Sequence, residues 1–154
     1  MTDIAKYYLH PSNLIVSKEP IWVSTVLGSC VAVCLYDSEK QIGGINHFML
    51  PLWNGEGLET PRYGNIAILK LIEELTDIGA ERKSLIAKVF GGGNVLGENS
   101  SLFKIGERNV GLALKLLGEN NIPVIASSTG GNRGRKILFN TFTGKVLQQY
   151  INPK

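Results

Sequence analysis

Two side chains within residues 21–51, IWVSTVLGSCVAVCLYDSEKQIGGINHFMLP, could do nucleophilic chemistry together: the thiol of Cys30 and the imidazole of His47. A thiolate attacks carbonyl carbon readily. A neighbouring imidazole lowers the thiol pKa and gives a thiolate–imidazolium pair. Such a pair needs a third group to hold the ring, and a hydroxyl on the adjacent run, Ser24 or Thr25, can do this. Amides near Ser29, Cys30 and Val31 are placed to act as oxyanion donors, and Gly28 lets a substrate backbone come close. The second thiol, Cys34, sits between Val33 and Leu35 and reads as inert core filling. His10 lies beside Pro11 and reads as a loop residue.

The elements that must bring these groups together are legible as strands. Ile21–Leu27 is an apolar run ending at the small-residue corner Gly28-Ser29. Val31–Tyr36 and Ile42–Met49 flank the polar turn Asp37–Gln41, which predicts an antiparallel hairpin with Cys30 and His47 near its open end. Leu14–Ser17, Leu85–Phe90 and Pro123–Ser128 are further strand candidates. Lys136–Thr141 and Lys145–Ile151 predict a closing hairpin. Ile68, Leu71, Ile72, Leu75 and Ile78 mark one apolar face of a helix over Arg62–Ile78. Val110, Ala113, Leu114 and Leu117 do the same for a helix within Ile105–Asn120. The order predicts an α/β (α+β) fold: a mixed β-sheet structure carrying two main helices.

Composition narrows the function. With 154 residues, 44% of them hydrophobic and 19% charged, one domain spanning 1–154 is expected, with a weakly patterned, mobile end at 1–12. A net charge of +3 without a run of Lys and Arg argues against nucleic acid. No apolar stretch reaches spanning length, so no membrane insertion is expected. The start, MTDIAKYYLHPSN, lacks the pattern of a signal peptide, which points to the cytoplasm. There two cysteines are expected as thiols. Gly91-Gly92-Gly93 follows a strand but lacks the spacings of nucleotide loops and reads as a tight turn. Residues 129–135, TGGNRGR, place Arg133 and Arg135 in a loop suited to a carboxylate or an acidic partner surface. Trp53, in the loop 51–61, is equally a contact residue or a cover for the core.

The motifs LGSCVAVCLYD and GGINHFMLP resemble those of the CheD family of chemoreceptor glutamine deamidases. Arg62-Tyr63, Gly91-Gly92, Ile105-Gly106-Glu107-Arg108-Asn109 and Thr129–Arg135 extend the resemblance in order along nearly the whole chain. The resemblance implies a mixed α/β sandwich like the catalytic domain of cytotoxic necrotizing factors, with no metal and no organic cofactor. It implies Cys30 as nucleophile and His47 as general base. The family's third residue, a Thr six positions before the Cys, falls on Ser24, with Thr25 next to it. Ser29, Thr25 and Arg133 are further candidates for substrate or oxyanion contacts. The implied substrate is glutamine on the cytoplasmic helices of chemoreceptors, and the implied partner is a CheC-type phosphatase. The Ser at position 24 leaves open an alternative, a non-catalytic chemotaxis adaptor. A papain-like peptidase fits poorly, because no His follows His47.

Overall fold

The computed structural model describes residues 4–95 and 102–151. Among these residues nine strands form two sheets. The first has the order β1-β3-β8-β9, from β1 (Ala5–Tyr8), β3 (Ile21–Leu27), β8 (Gly134–Asn140) and β9 (Val146–Ile151). The second has the order β2-β5-β4-β6-β7, from β2 (Asn13–Ser17), β5 (Ile42–His47), β4 (Val31–Asp37), β6 (Leu85–Gly91) and β7 (Val124–Thr129). Both sheets are mixed: β1–β3 and β6–β7 run parallel and the other pairs antiparallel. Helices α1 (Gly64–Asp77) and α2 (Leu102–Glu119) cover one face of the five-stranded sheet.

The layering follows from the two-residue period of β4, every position of which is buried. Val31, Val33 and Leu35 pack with Ile68, Leu71, Ile72 and Leu75 of α1 and with Ala113 and Leu117 of α2. Ala32 and Cys34 point the other way and pack with Val23, Leu27, Ile45, Ile137 and Phe139 between the sheets. A strand buried on both faces needs apolar side chains at successive positions, which is what VAVCL supplies. The result is sheet on sheet on helices, so the mixed α/β sandwich with two main helices is the fold observed. The glycine pair of β5 sits in the middle layer. A Cβ on Gly43 would lie 2.7 Å from the Thr141 carbonyl, and one on Gly44 would lie 2.7 Å from Val16 and 2.9 Å from Leu71.

Three expectations change. The described part of the 1–12 end, from residue 4 on, is tied down: Ala5–Tyr8 pairs with Ile21–Ser24, and residues 1–3 lie outside the described residues. On α2 the buried stripe is Gly106, Asn109, Ala113 and Leu117, whereas Leu114 is exposed. Gly134 and Arg135 belong to β8 and not to the preceding loop. Among the described residues no helix is long and apolar enough to cross a membrane.

Candidate active site

Strand β4 and strand β5 pair in one register throughout. Cys34 faces Ile45, Asp37 faces Ile42, and beyond the ladder Val31 and Phe48 exchange both backbone hydrogen bonds (3.1 and 2.9 Å). Asp37 fixes the turn by accepting from the amides of Glu39 and Lys40, and from that of Glu81 across the fold. Between Cys34 and Val31 the ladder is interrupted: the Val33 amide donates to the Asn46 side chain instead (2.9 Å). With this register Cys30, Ala32 and Cys34 share a face with Ile45 and His47, the face turned toward the other sheet. Cys30 and His47 are diagonal neighbours across the hairpin, a spacing that long side chains can bridge.

The third group comes from the opposite sheet. His47 Nδ1 lies 2.6 Å from Thr25 Oγ1. The same hydroxyl donates to the Leu9 carbonyl at 2.8 Å. A threonine hydroxyl has one hydrogen, so with that hydrogen on Leu9 it accepts from Nδ1–H. The network thereby assigns the Nδ1–H tautomer and leaves Nε2 as the basic nitrogen. Nε2 is buried and without a hydrogen-bond partner.

Of the two hydroxyls expected to orient the ring, Ser24 and Thr25, it is Thr25 that does so, and Ser24, matched to the motif's third residue, does not. Along β3 the burial alternates: Ile21, Val23, Thr25 and Leu27 face inward, while Trp22, Ser24 and Val26 face outward. A one-residue step on a strand reverses the face. Thr25, at 0% exposure, is the hydroxyl on the imidazole, and the substrate or oxyanion contact suggested for it is not its observed place. The Leu9 carbonyl was not read from the sequence at all, because a backbone acceptor leaves no residue-type signal.

Burial sets the electrostatics. Desolvation lowers the His47 pKa from 6.5 to about 4. Desolvation also raises the Cys30 thiol, with its own backbone N–H pulling the other way. Both shifts favour a neutral thiol and a neutral imidazole at rest, instead of the ion pair expected from the sequence. A neutral imidazole with a free ring nitrogen can accept a proton as a general base.

The corner holding Cys30 is gripped from behind by the glycine run. The Gly92 amide donates to the Cys30 carbonyl and the Gly93 amide to the Gly28 carbonyl, both at 2.9 Å. Gly91 has φ of 110°, and a Cβ there would lie 2.2 Å from the Cys30 carbonyl oxygen, so only glycine fits. The run is therefore a brace for the Cys30 corner. Of the three expected oxyanion donors, the Val31 amide is spent on Phe48. Among the described residues the Ser29 and Cys30 amides donate to no backbone carbonyl.

Arg133 is placed against Tyr150. Its guanidinium lies 4.7 Å from the centre of the Tyr150 ring, and it lines a cleft of about 280 Å³ with Val26, Leu27, Gly28 and Ile151. Gly28 is where that cleft meets the Cys30 corner. Arg135 is 2% exposed and structural in its contacts, donating to Ser128 and to the Gly130 carbonyl. Trp53 is half-buried, its indole N–H on the Glu56 carbonyl. Among the described residues no three His, Cys, Asp or Glu side chains gather into a set that could hold a metal ion.

The sequence profile of the family described as "CheD chemotactic sensory transduction" matches residues 49–150. A protein of Trichlorobacter lovleyi named "Probable chemoreceptor glutamine deamidase CheD" is 55% identical over 146 residues, covering 95% of this chain and 91% of its own. One of the same name from Sulfurimonas denitrificans is 49% identical over 152 residues, covering 97% and 96%. A solved structure, the hypothetical protein YfiH of Bacillus licheniformis, overlaps 75% of this chain and 49% of its own, with 15% identity and a TM-score of 0.46.

Proposed function

The chain belongs to the CheD family, and from that premise we propose that it is a protein-glutamine deamidase acting on chemoreceptors. The substrate class is that named for its relatives. The observation that carries the chemistry is the Leu9–Thr25–His47 chain of hydrogen bonds, which leaves a basic Nε2 on the face of the hairpin that Cys30 shares.

The reaction proceeds in two halves. Cys30 Sγ attacks the carboxamide carbon of a glutamine side chain while His47 Nε2 takes the thiol proton. The Ser29 and Cys30 amides donate to the tetrahedral oxyanion. Losing one donor of this kind typically costs about 3 kcal/mol of transition-state stabilisation. The imidazolium returns its proton to the departing nitrogen, ammonia leaves, and a Cys30 thioester remains. His47 then takes a proton from water, the hydroxide adds to the thioester, and collapse releases glutamate and the thiol. Each cycle consumes one water, releases one ammonia and adds one carboxylate to the receptor. In the same proposal residues 1–154 act as one deamidase domain in the cytoplasm, with a CheC-type phosphatase as partner. The adaptor alternative rested on a serine in place of the third residue, and it weakens with Thr25 on the ring.

The test is incubation of the protein with the cytoplasmic part of a chemoreceptor, followed by peptide mass spectrometry. A gain of about 1 Da at particular glutamines, the difference between amide and acid, is expected with the wild type and not with Cys30→Ala. A receptor that binds and gains no mass would return the adaptor reading.

A further inference from the structure

The motif Ile105–Asn109 has no part in the chemistry described so far, yet it places a buried amide against the nucleophile corner. Gly106 and Asn109, one helical turn apart on the inner face of α2, are both buried. Gly106 lets α2 come down on the glycine brace: a Cβ there would lie 2.7 Å from the Gly92 carbonyl oxygen. Asn109, at 0% exposure, then spends both hydrogens of Nδ2 on two carbonyls, Ser29 at 3.1 Å and Met49 at 3.0 Å. Its Oδ1 is buried with no partner. Turned over, the amide would set oxygen against two carbonyl oxygens, so these two acceptors dictate its orientation.

Those two carbonyls belong to the residue before Cys30 and to the second residue after His47. We propose that Asn109 is a positioning residue that aims the Cys30 amide at the oxyanion. In a trans peptide the carbonyl and the following N–H point in opposite directions. Holding the Ser29 carbonyl toward α2 turns the Cys30 N–H away from the helices, to the side of the five-stranded sheet where Thr25 meets His47. Among the described residues that N–H donates to no backbone carbonyl, as an oxyanion donor awaiting substrate must. The second bond, to Met49, ties the His47 strand to the same point. The inference rests on the deamidase reading and adds to it the residue that sets the oxyanion geometry.

The experiment measures receptor deamidation and Cys30 alkylation by iodoacetamide in the wild type, Asn109→Ala and Asn109→Ser. Alkylation passes through no oxyanion, so it separates aim from integrity. Asn109→Ala is expected to lose roughly 10²-fold in kcat with KM unchanged, the size of one oxyanion donor. Its alkylation rate should stay within about threefold of wild type. Asn109→Ser, which keeps a single donor, should lose about tenfold. A folded Asn109→Ala with kcat near wild type would overturn the proposal, as would equal losses in turnover and alkylation. On the wild-type chain, which needs no variant to fold, the Cys30 amide is expected to exchange rapidly with solvent and the Val31 amide slowly; a protected Cys30 amide overturns the proposal. If alkylating the wild type leaves deamidation intact, the deamidase reading through Cys30 fails instead.

Discussion

Cys30 and Cys34 lie four residues apart on the same face of the same hairpin, and only one is placed to react. Cys34 is 2% exposed, walled in by Val23, Ile45 and Phe139 between the sheets. Burial drives its thiol far above the usual range, with Lys88 offsetting only part of that. Cys30 sits one residue before the strand begins, half-buried, where among the described residues the Ser29 and Cys30 amides donate to no backbone carbonyl. It also has the imidazole diagonally across, held by a hydroxyl from the other sheet. On the proposed mechanism, strand position more than residue type separates the nucleophile from core filling: Cys34 lies within the ladder, and Cys30 just before it.

The largest expected effect is the contrast between the two thiols. Cys30→Ala should abolish turnover, a loss on the order of 10⁴-fold or more, as for nucleophiles elsewhere. Cys34→Ala should keep kcat within about threefold and cost about 1 kcal/mol of stability, read by urea unfolding. Equal losses from the two would erase the comparison. Next is the contrast between adjacent hydroxyls. Thr25→Val removes the acceptor for Nδ1–H and should lower kcat on the order of 10²-fold. Ser24→Ala should change it by less than about twofold, since Ser24 faces outward. The reverse ranking in steady-state rates would restore Ser24.

A smaller effect lies in the pH dependence of stability. The unfolded chain takes up a proton at His47 near pH 6.5, and the folded chain only near pH 4. Between those values the unfolded state binds more protons, so stability is full above 6.5 and falls as the pH drops toward 4. The total is about 3 kcal/mol at 1.4 kcal/mol per unit. Urea midpoints measured across this window should show that decline in the wild type and a flatter curve in His47→Gln. Equal slopes would mean that His47 is not held neutral by burial.

The hairpin was legible because its polar turn and unbroken apolar runs specify both pairing and register. Helix α1 was legible from its apolar face. Thr25 was within reach of the same reasoning: Ile21, Val23 and Leu27 are the more apolar face of β3, and Thr25 lies on it. The alignment to a motif six residues upstream of the Cys pointed to its neighbour. Strand β1 was not legible. Ala-Lys-Tyr-Tyr is exposed at all four positions, and its only instruction to form a strand is the distant partner β3. The Leu9 carbonyl inherits that difficulty. Asn109 was not placed on the packed face because the apolar residues Val110, Ala113, Leu114 and Leu117 defined the stripe; the spacing Gly106, Asn109, Ala113, Leu117 describes the helix face that packs.

The most direct measurement is the site of the covalent intermediate. Wild-type protein mixed briefly with a receptor fragment, quenched in acid and digested, should yield a thioester-linked pair whose mass is the two peptides less ammonia. The account expects that linkage on Cys30 and never on Cys34. Receptor deamidation that continues in Cys30→Ala, or a linkage mapped to Cys34, would contradict it.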